Sequence, residues 1–222
     1  MRNTALSPNV LFNLEHFSHK PLFEGVDYAW EALKRLAAYI AALLREAQPC
    51  TQVTVMPGAV VEPNVLFGEG VIVEPHTYVK GPSLIGARTV IRHGAYIRGN
   101  AIIGEDCIIG NATEVKHAVL MDGVRASHWN YIGDSIVGFG VNIGAGAKLS
   151  NRKITDTEIV VKDAEGNRYP TGLTKLGGII GDETQIGCNA VLNPGTVLGK
   201  RCLVYPLTSV RGVHAPGQVI KP

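Results

Sequence analysis

Three short stretches gather residues able to do chemistry: Gly110-Asn111-Ala112-Thr113-Glu114-Val115-Lys116, Ser127-His128-Trp129-Asn130-Tyr131-Ile132-Gly133-Asp134 and Val141-Asn142-Ile143-Gly144-Ala145-Gly146. Imidazoles have an ordinary pKa of about 6.5 and can accept a proton at neutral pH, and the second stretch supplies one in His128. A carboxylate such as Glu114 can orient such a ring and stabilise its charged form. Cations hold anionic groups, and Arg98 and Lys116 stand eighteen residues apart. A lone histidine in a repetitive chain is ordinarily a surface residue. His16, His19, His76, His93, His117 and His214 keep that reading; for His128 its neighbours outweigh it.

The elements that position these residues follow from one period. An aliphatic or aromatic residue recurs every six positions: Val55, Val61, Phe67, Val73, Val79, Ile85, Ile91, Ile97, Ile103, Ile109, Val115, Met121. A series of the same period resumes at Ile180 and runs through Ile186, Leu192, Leu198, Val204 and Val210. Six is neither a helical nor a flat-strand period. It marks a coiled ribbon in which each unit supplies one side and turns a corner. With three units per coil, Val55–Ala126 makes four coils, and eighteen residues is one full coil. Arg98 and Lys116 then lie one above the other, which favours a phosphate clamp over two solvated charges.

The rhythm breaks at His128–Tyr131, where the unit Ile132–Ile136 is one residue short, and again between Asn151 and Lys175. The second break reads as an extruded loop over 152–174, with a hairpin pairing Glu158–Val161 and Arg168–Tyr169 around Glu165-Gly166-Asn167. Loops ejected from a rigid scaffold tend to carry binding function. Residues 1–26 read as loop. Residues 27–47 read as an amphipathic helix with Asp27 as N-cap and Gln48-Pro49 as its stop. It is expected to lie across the open N-terminal end of the coil, within a segment 1–52 that precedes the repeat domain 53–222, because an end coil leaves its apolar core bare.

Composition fits such a ribbon: 26 of 222 residues are Gly and aromatics are 6%. A net charge of +2 argues against a dedicated nucleic-acid binder. The cysteines Cys50, Cys107, Cys188 and Cys202 form no CxxC pair, and Cys107 and Cys202 read as small buried thiols. Neither a signal peptide nor a membrane-length apolar run is seen, so a cytoplasmic protein without membrane partners is expected.

In order and spacing, the three stretches resemble the acetyltransferase domain of the bacterial bifunctional N-acetylglucosamine-1-phosphate uridylyltransferase/glucosamine-1-phosphate acetyltransferase. The resemblance covers residues 60–151 and 174–213. It implies an all-β fold, a left-handed parallel β-helix with the N-terminal capping helix added. General connection rules would instead have favoured a right-handed crossover. It also implies a homotrimer with sites between subunits, acetyl-CoA as co-substrate, and no metal requirement. Carried over by position, the general base falls on His128 and its carboxylate partner on Glu114. Sugar-phosphate contacts fall on Arg98, Lys116, Tyr131, Asn142 and Lys175, with Asn151 a further active-site residue. Ala145 falls where the backbone meets the thioester arm.

Cys188 replaces a serine usual near that arm, and the loop is longer than the family's, which opens the acceptor to other amino-sugar phosphates. Lys200, Arg201 and Arg211 could bind the phosphates of coenzyme A or form a solvated rim. No G-x-G-T-x-M motif occurs, so the chain is not expected to make UDP-sugars alone. Rival readings are an acyltransferase acting on a nucleotide sugar and a non-catalytic trimeric module related to sugar-1-phosphate nucleotidyltransferases. A γ-type carbonic anhydrase is disfavoured, because His117 and His128 lack the spacing of its zinc ligands.

Overall fold

The computed structural model describes residues 4–48 and 50–222. Short parallel strands stack into three sheets. The first has nine strands, from Thr54–Val55 to Val219–Ile220. The second has eight, from Val60–Val61 to Ser209–Val210, and the third has eight, from Val65–Phe67 to Val213–His214. Each coil contributes one strand to each sheet, so the chain is a parallel β-helix. The six-residue series points inward and forms one continuous aliphatic core with Ile91, Ile97, Ile109 and Val115 fully buried.

Corners impose their own residue types. A Cβ on Gly86 would meet the Gly104 backbone at 2.4 Å, because coils stack at about 4.8 Å and leave no room for a side chain between them. Small hydroxyl residues tie coil to coil: Thr89 donates to the Gly104 carbonyl at 2.7 Å. No buried side-chain nitrogen or oxygen among the described residues lacks a partner.

The inward series stops one unit earlier than its spacing suggests. Leu120, not Met121, faces the core, and Met121 joins a second apolar cluster outside it. The cause is the corner at Lys116-His117-Ala118, which is one residue shorter than its counterpart Arg98–Ala101. The pairing offset drops there from eighteen, as in Ile97↔Val115, to seventeen, as in Ile103↔Leu120.

The N-terminal helix spans Glu31–Glu46, not 27–47. Asp27 does not cap it. Instead the Glu31 carboxylate accepts the backbone N–H groups of Asp27 and Tyr28, at 2.8 and 3.1 Å. Pro49 lies outside the described residues. The helix packs along the flank of the coil, not across its end. Strands of the third sheet are apolar at consecutive positions, as in Ala101-Ile102-Ile103, and are buried on both faces. Their outward residues, including Leu84, Ile102, Val119 and Ile179, pack against Leu33, Leu36, Ile40 and Trp30. A sixteen-residue helix is about 24 Å long, enough to cover about five coils, and a helix over one end could not shield that stripe. The segment before it is irregular in backbone but buries Leu6, Leu11, Phe12, Phe17 and Phe23 in the same cluster, so it is core and not free loop.

The 152–174 insertion carries the antiparallel hairpin Val160–Lys162 with Arg168–Pro170. It folds back on this flank: Ile159 and Val161 are buried there, and the rings of Tyr28 and Tyr169 meet at 5.8 Å. Among the described residues no helix is long and apolar enough to cross a membrane.

Candidate functional site

Most candidate residues fall into two groups at the edges of the second sheet. At its corner with the first sheet, backbone bonds run rung to rung: Trp129 N–H to the Asn111 carbonyl at 2.8 Å, Gly146 to His128 at 3.0 Å, Asn189 to Ala145 at 2.9 Å, and Leu207 to Cys188 at 3.0 Å. Asn111, His128, Ala145 and Cys188 therefore form one column, one residue per coil. His128 ends the strand Arg125–His128, in register with Asn111. Its ring is exposed and lies 5.9 Å from that of Trp129. The column below it is narrow because the stretch is Gly-Ala-Gly. A Cβ on Gly144 would sit 2.6 Å from the Cys188 backbone nitrogen, while Ala145 and Cys188 keep only small side chains outside. Such a strip suits the close passage of an extended, flexible arm.

The second group is charged and lies across the second sheet. Glu114 pairs in register with Tyr131, and Lys116 with Gly133. Arg98 stacks directly over Lys116, its N–H bonded to the Val115 carbonyl. Each cation has an acidic partner: Arg98 Nη1 lies 2.6 Å from Glu114 Oε1, and Lys116 Nζ lies 3.1 Å from Asp134 Oδ2. Asn151 also donates to Asp134 Oδ2, so this nearly buried carboxylate is the hub of the group. Burial first, and then the charges of Glu114 and Asp134, hold the Tyr131 phenol above its ordinary pKa, against the opposing pull of Arg98 and a hydrogen bond with Asn151. His117, at the same corner, has its pKa lowered, chiefly by burial and further by Lys116. Asp134 and the ring's bond to the Leu33 backbone oppose that shift, and the bond ties the flanking helix to this edge.

Arg98, Glu114, Lys116, Tyr131 and Asn151 are thus brought together, and so are His128, Ala145 and Cys188. Lys175 stands at the neck of the insertion, bridged to Arg152, with Leu176 bonded to the Asn151 carbonyl. The insertion's hairpin covers the third sheet, so the neck and not the tip adjoins the charged group. Asn142 faces outward on the first sheet between Arg125 and Gln185. Arg211 follows the last strand of the second sheet, four rungs or about 19 Å from Lys116. Neither is drawn into the two groups. Within the chain the Glu114 carboxylate is held by Arg98, and among the described residues no hydrogen bond joins it to His128. The sequence marks Asp134 only by its place in the Tyr131-Ile132-Gly133-Asp134 run, since buried hubs and exposed aspartates look alike in a list of residues. The buried thiol of Cys107 is pushed up to about 12, mainly by desolvation.

The protein family described as "GMPPB C-terminal domain" matches residues 79–165. A bifunctional sugar-1-phosphate nucleotidylyltransferase/acetyltransferase of Sulfurisphaera tokodaii is 37% identical over 98 residues, 44% of this chain and 24% of that protein. The bifunctional protein GlmU of Methanococcus maripaludis is 28% identical over 185 residues, 83% of this chain and 44% of that protein. The chain spans less than half the length of these curated relatives. Among solved structures, the acetyltransferase domain of PglB from Neisseria gonorrhoeae in complex with acetyl coenzyme A aligns at 18% identity and a TM-score of 0.36, over 77% of this chain and 55% of that one. That likeness is too loose to bear on the site. The motif resemblance and the sequence relatives agree: along its β-helix, this chain resembles the acetyltransferase domain of the bifunctional uridylyltransferase/acetyltransferase proteins.

Proposed function

We propose that the protein is an acetyl-CoA-dependent N-acetyltransferase acting on an amino-sugar 1-phosphate, with glucosamine 1-phosphate the first acceptor to test. The observation that carries this is the single column of His128, Ala145 and Cys188 at one edge of a sheet whose other edge holds Arg98 and Lys116. The acceptor reacts as its neutral amine, and the imidazole of His128 takes one proton from that nitrogen as the N–C bond forms. The nitrogen lone pair attacks the thioester carbonyl. The tetrahedral intermediate then collapses with cleavage of the C–S bond, and the leaving thiolate takes up the proton. A positioned base contributes about 10²–10⁴-fold, and holding the two substrates in contact supplies much of the rest. The acceptor phosphate exchanges with the carboxylates around Arg98 and Lys116. The exposed Trp129 (57%) and Leu207 (74%), at the turn position that follows that column, fit a homotrimer that closes the site between subunits.

The test is thiol release from acetyl-CoA with a panel of amino-sugar phosphates. Wild type should release CoA only with an acceptor, and His128→Ala should be slower by about 100-fold or more. Full rate in His128→Ala puts the base elsewhere. No release with any acceptor leaves the non-catalytic trimeric module as the better reading.

A further inference from the structure

One column inside the β-helix departs from its own pattern. Backbone bonds into the second sheet stack Thr77, Ala95, Thr113, Asn130, Ala147, Ala190 and Thr208 rung upon rung. Six of these are Thr or Ala, and the single amide occurs on the rung of His128. Where a threonine fills the position its hydroxyl donates to one carbonyl, as Thr77 does to Arg92 on the next coil at 3.0 Å and Thr208 to Tyr205 on its own at 2.7 Å. Asn130 does more. It is 2% exposed, and its Oδ1 accepts the His128 N–H at 3.3 Å. Its Nδ2 donates to the Gly144 carbonyl at 2.7 Å and to the Ala147 carbonyl at 3.3 Å, bracketing Ala145 on the next coil. Its own N–H donates to Thr113 Oγ1 on the coil before, at 3.2 Å.

We propose that Asn130 is a positioning residue that fixes the His128 turn against the Gly144–Ala147 turn, and so sets the distance between the base and the thioester arm. The inference rests on the acetyl-transfer reading for its consequence, though not for its geometry. An amide suits this task where a hydroxyl does not. It offers two donors and an acceptor on a planar frame, so it can hold the backbones of two successive coils at once. A threonine keeps the rung filled and its one donor can hold the Gly144 carbonyl, as Thr77 holds that of Arg92, but it leaves the His128 N–H without the acceptor that joins the two turns. No charged group of the acceptor cluster bonds to Asn130, so acceptor binding should not depend on it.

The experiment compares Asn130→Thr with Asn130→Ala in the full chain. Asn130→Thr should melt within a few degrees of wild type, yet its kcat should fall by about tenfold with acceptor KM changed less than about twofold, since a small misplacement of reacting groups costs rate rather than binding. Asn130→Ala should lose both rate and stability. Full kcat in Asn130→Thr overturns the proposal, because any residue that fills the rung would then suffice. So does a kcat loss matched by an equal rise in acceptor KM. Amide hydrogen exchange gives a reading independent of catalysis: the His128 and Gly146 N–H groups should exchange faster in Asn130→Thr than in wild type, while Val115 is unchanged. Unaltered exchange at His128 and Gly146 overturns the proposal even if no acceptor is found, whereas absent activity with faster exchange removes only the acetyl-transfer reading.

Discussion

Replacing Lys116 by Met removes one positive charge while keeping most of the apolar stem, and it tests the phosphate clamp directly. The ammonium lies 3.1 Å from Asp134, with a quarter of the Lys116 side chain exposed and only 8% of that of Asp134. Two unit charges about 4 Å apart attract by about 4 kcal/mol at an effective dielectric of about 20. Asp134 already neutralises much of that field, so an arriving phosphate gains the surplus alone, about 1–2 kcal/mol. The expected result is a rise of about 5–30-fold in acceptor KM. The kcat should stay within about threefold, because uniform binding is lost and the base is untouched. Asp134→Asn should have the opposite sign. It frees Lys116 for the phosphate and lowers acceptor KM, while leaving a partly buried cation without its carboxylate at a cost of about 1–3 kcal/mol in stability. The assay is the initial rate of thiol release against glucosamine 1-phosphate concentration at saturating acetyl-CoA, repeated at low and high salt, since screening should shrink both effects. A KM change below about twofold in Lys116→Met, or the same direction of change in both variants, would place the phosphate away from this pair.

Two further outcomes concern the scaffold. Ile97→Ala removes a fully buried side chain from the middle of the stack and should cost about 2–5 kcal/mol, whereas Val60→Ala, on a residue more than half exposed near the coil's end, should cost under about 1 kcal/mol. Calorimetry should show the first melting well below the second, and equal melting points would contradict a continuous core. The second outcome is acid sensitivity. Burial lowers the half-buried His19, packed against Phe17 and bonded to Tyr39 at 3.2 Å, from the usual 6.5 to about 4. The folded state holds the ring neutral, so the unfolded chain binds the extra proton. The contribution is complete above about pH 6.5 and is lost as the pH falls toward about 4. The full shift corresponds to about 3 kcal/mol, which partial exposure reduces to about 1–2 kcal/mol. His19→Gln should flatten the fall in melting temperature across that window; an unchanged slope assigns the acid sensitivity to other groups.

The period of six in the chain determined the coil, its inward residues and the stacking of Arg98 on Lys116, because each of these follows from local corner geometry repeated at fixed length. Turn residues likewise announced the hairpin around Gly166. The sequence did not tell where the N-terminal helix would lie. Its apolar stripe fitted an open end as well as a flank, and only the double burial of strands such as Ala101–Ile103 decided for the flank. The register slip at His117 is hidden in the sequence for a similar reason: Leu120 and Met121 are both apolar, and which one faces inward depends on how many residues the preceding corner consumes. The partners of the charged residues were also invisible. Glu114 and Asp134 stand one coil from the cations they hold, as Glu114 to Arg98 and Asp134 to Lys116, and only the stacking of coils brings such pairs within bonding distance. Pattern along the chain sets what a residue is placed to do on its own rung; contacts between rungs and across the flank arise only when the coils close upon one another.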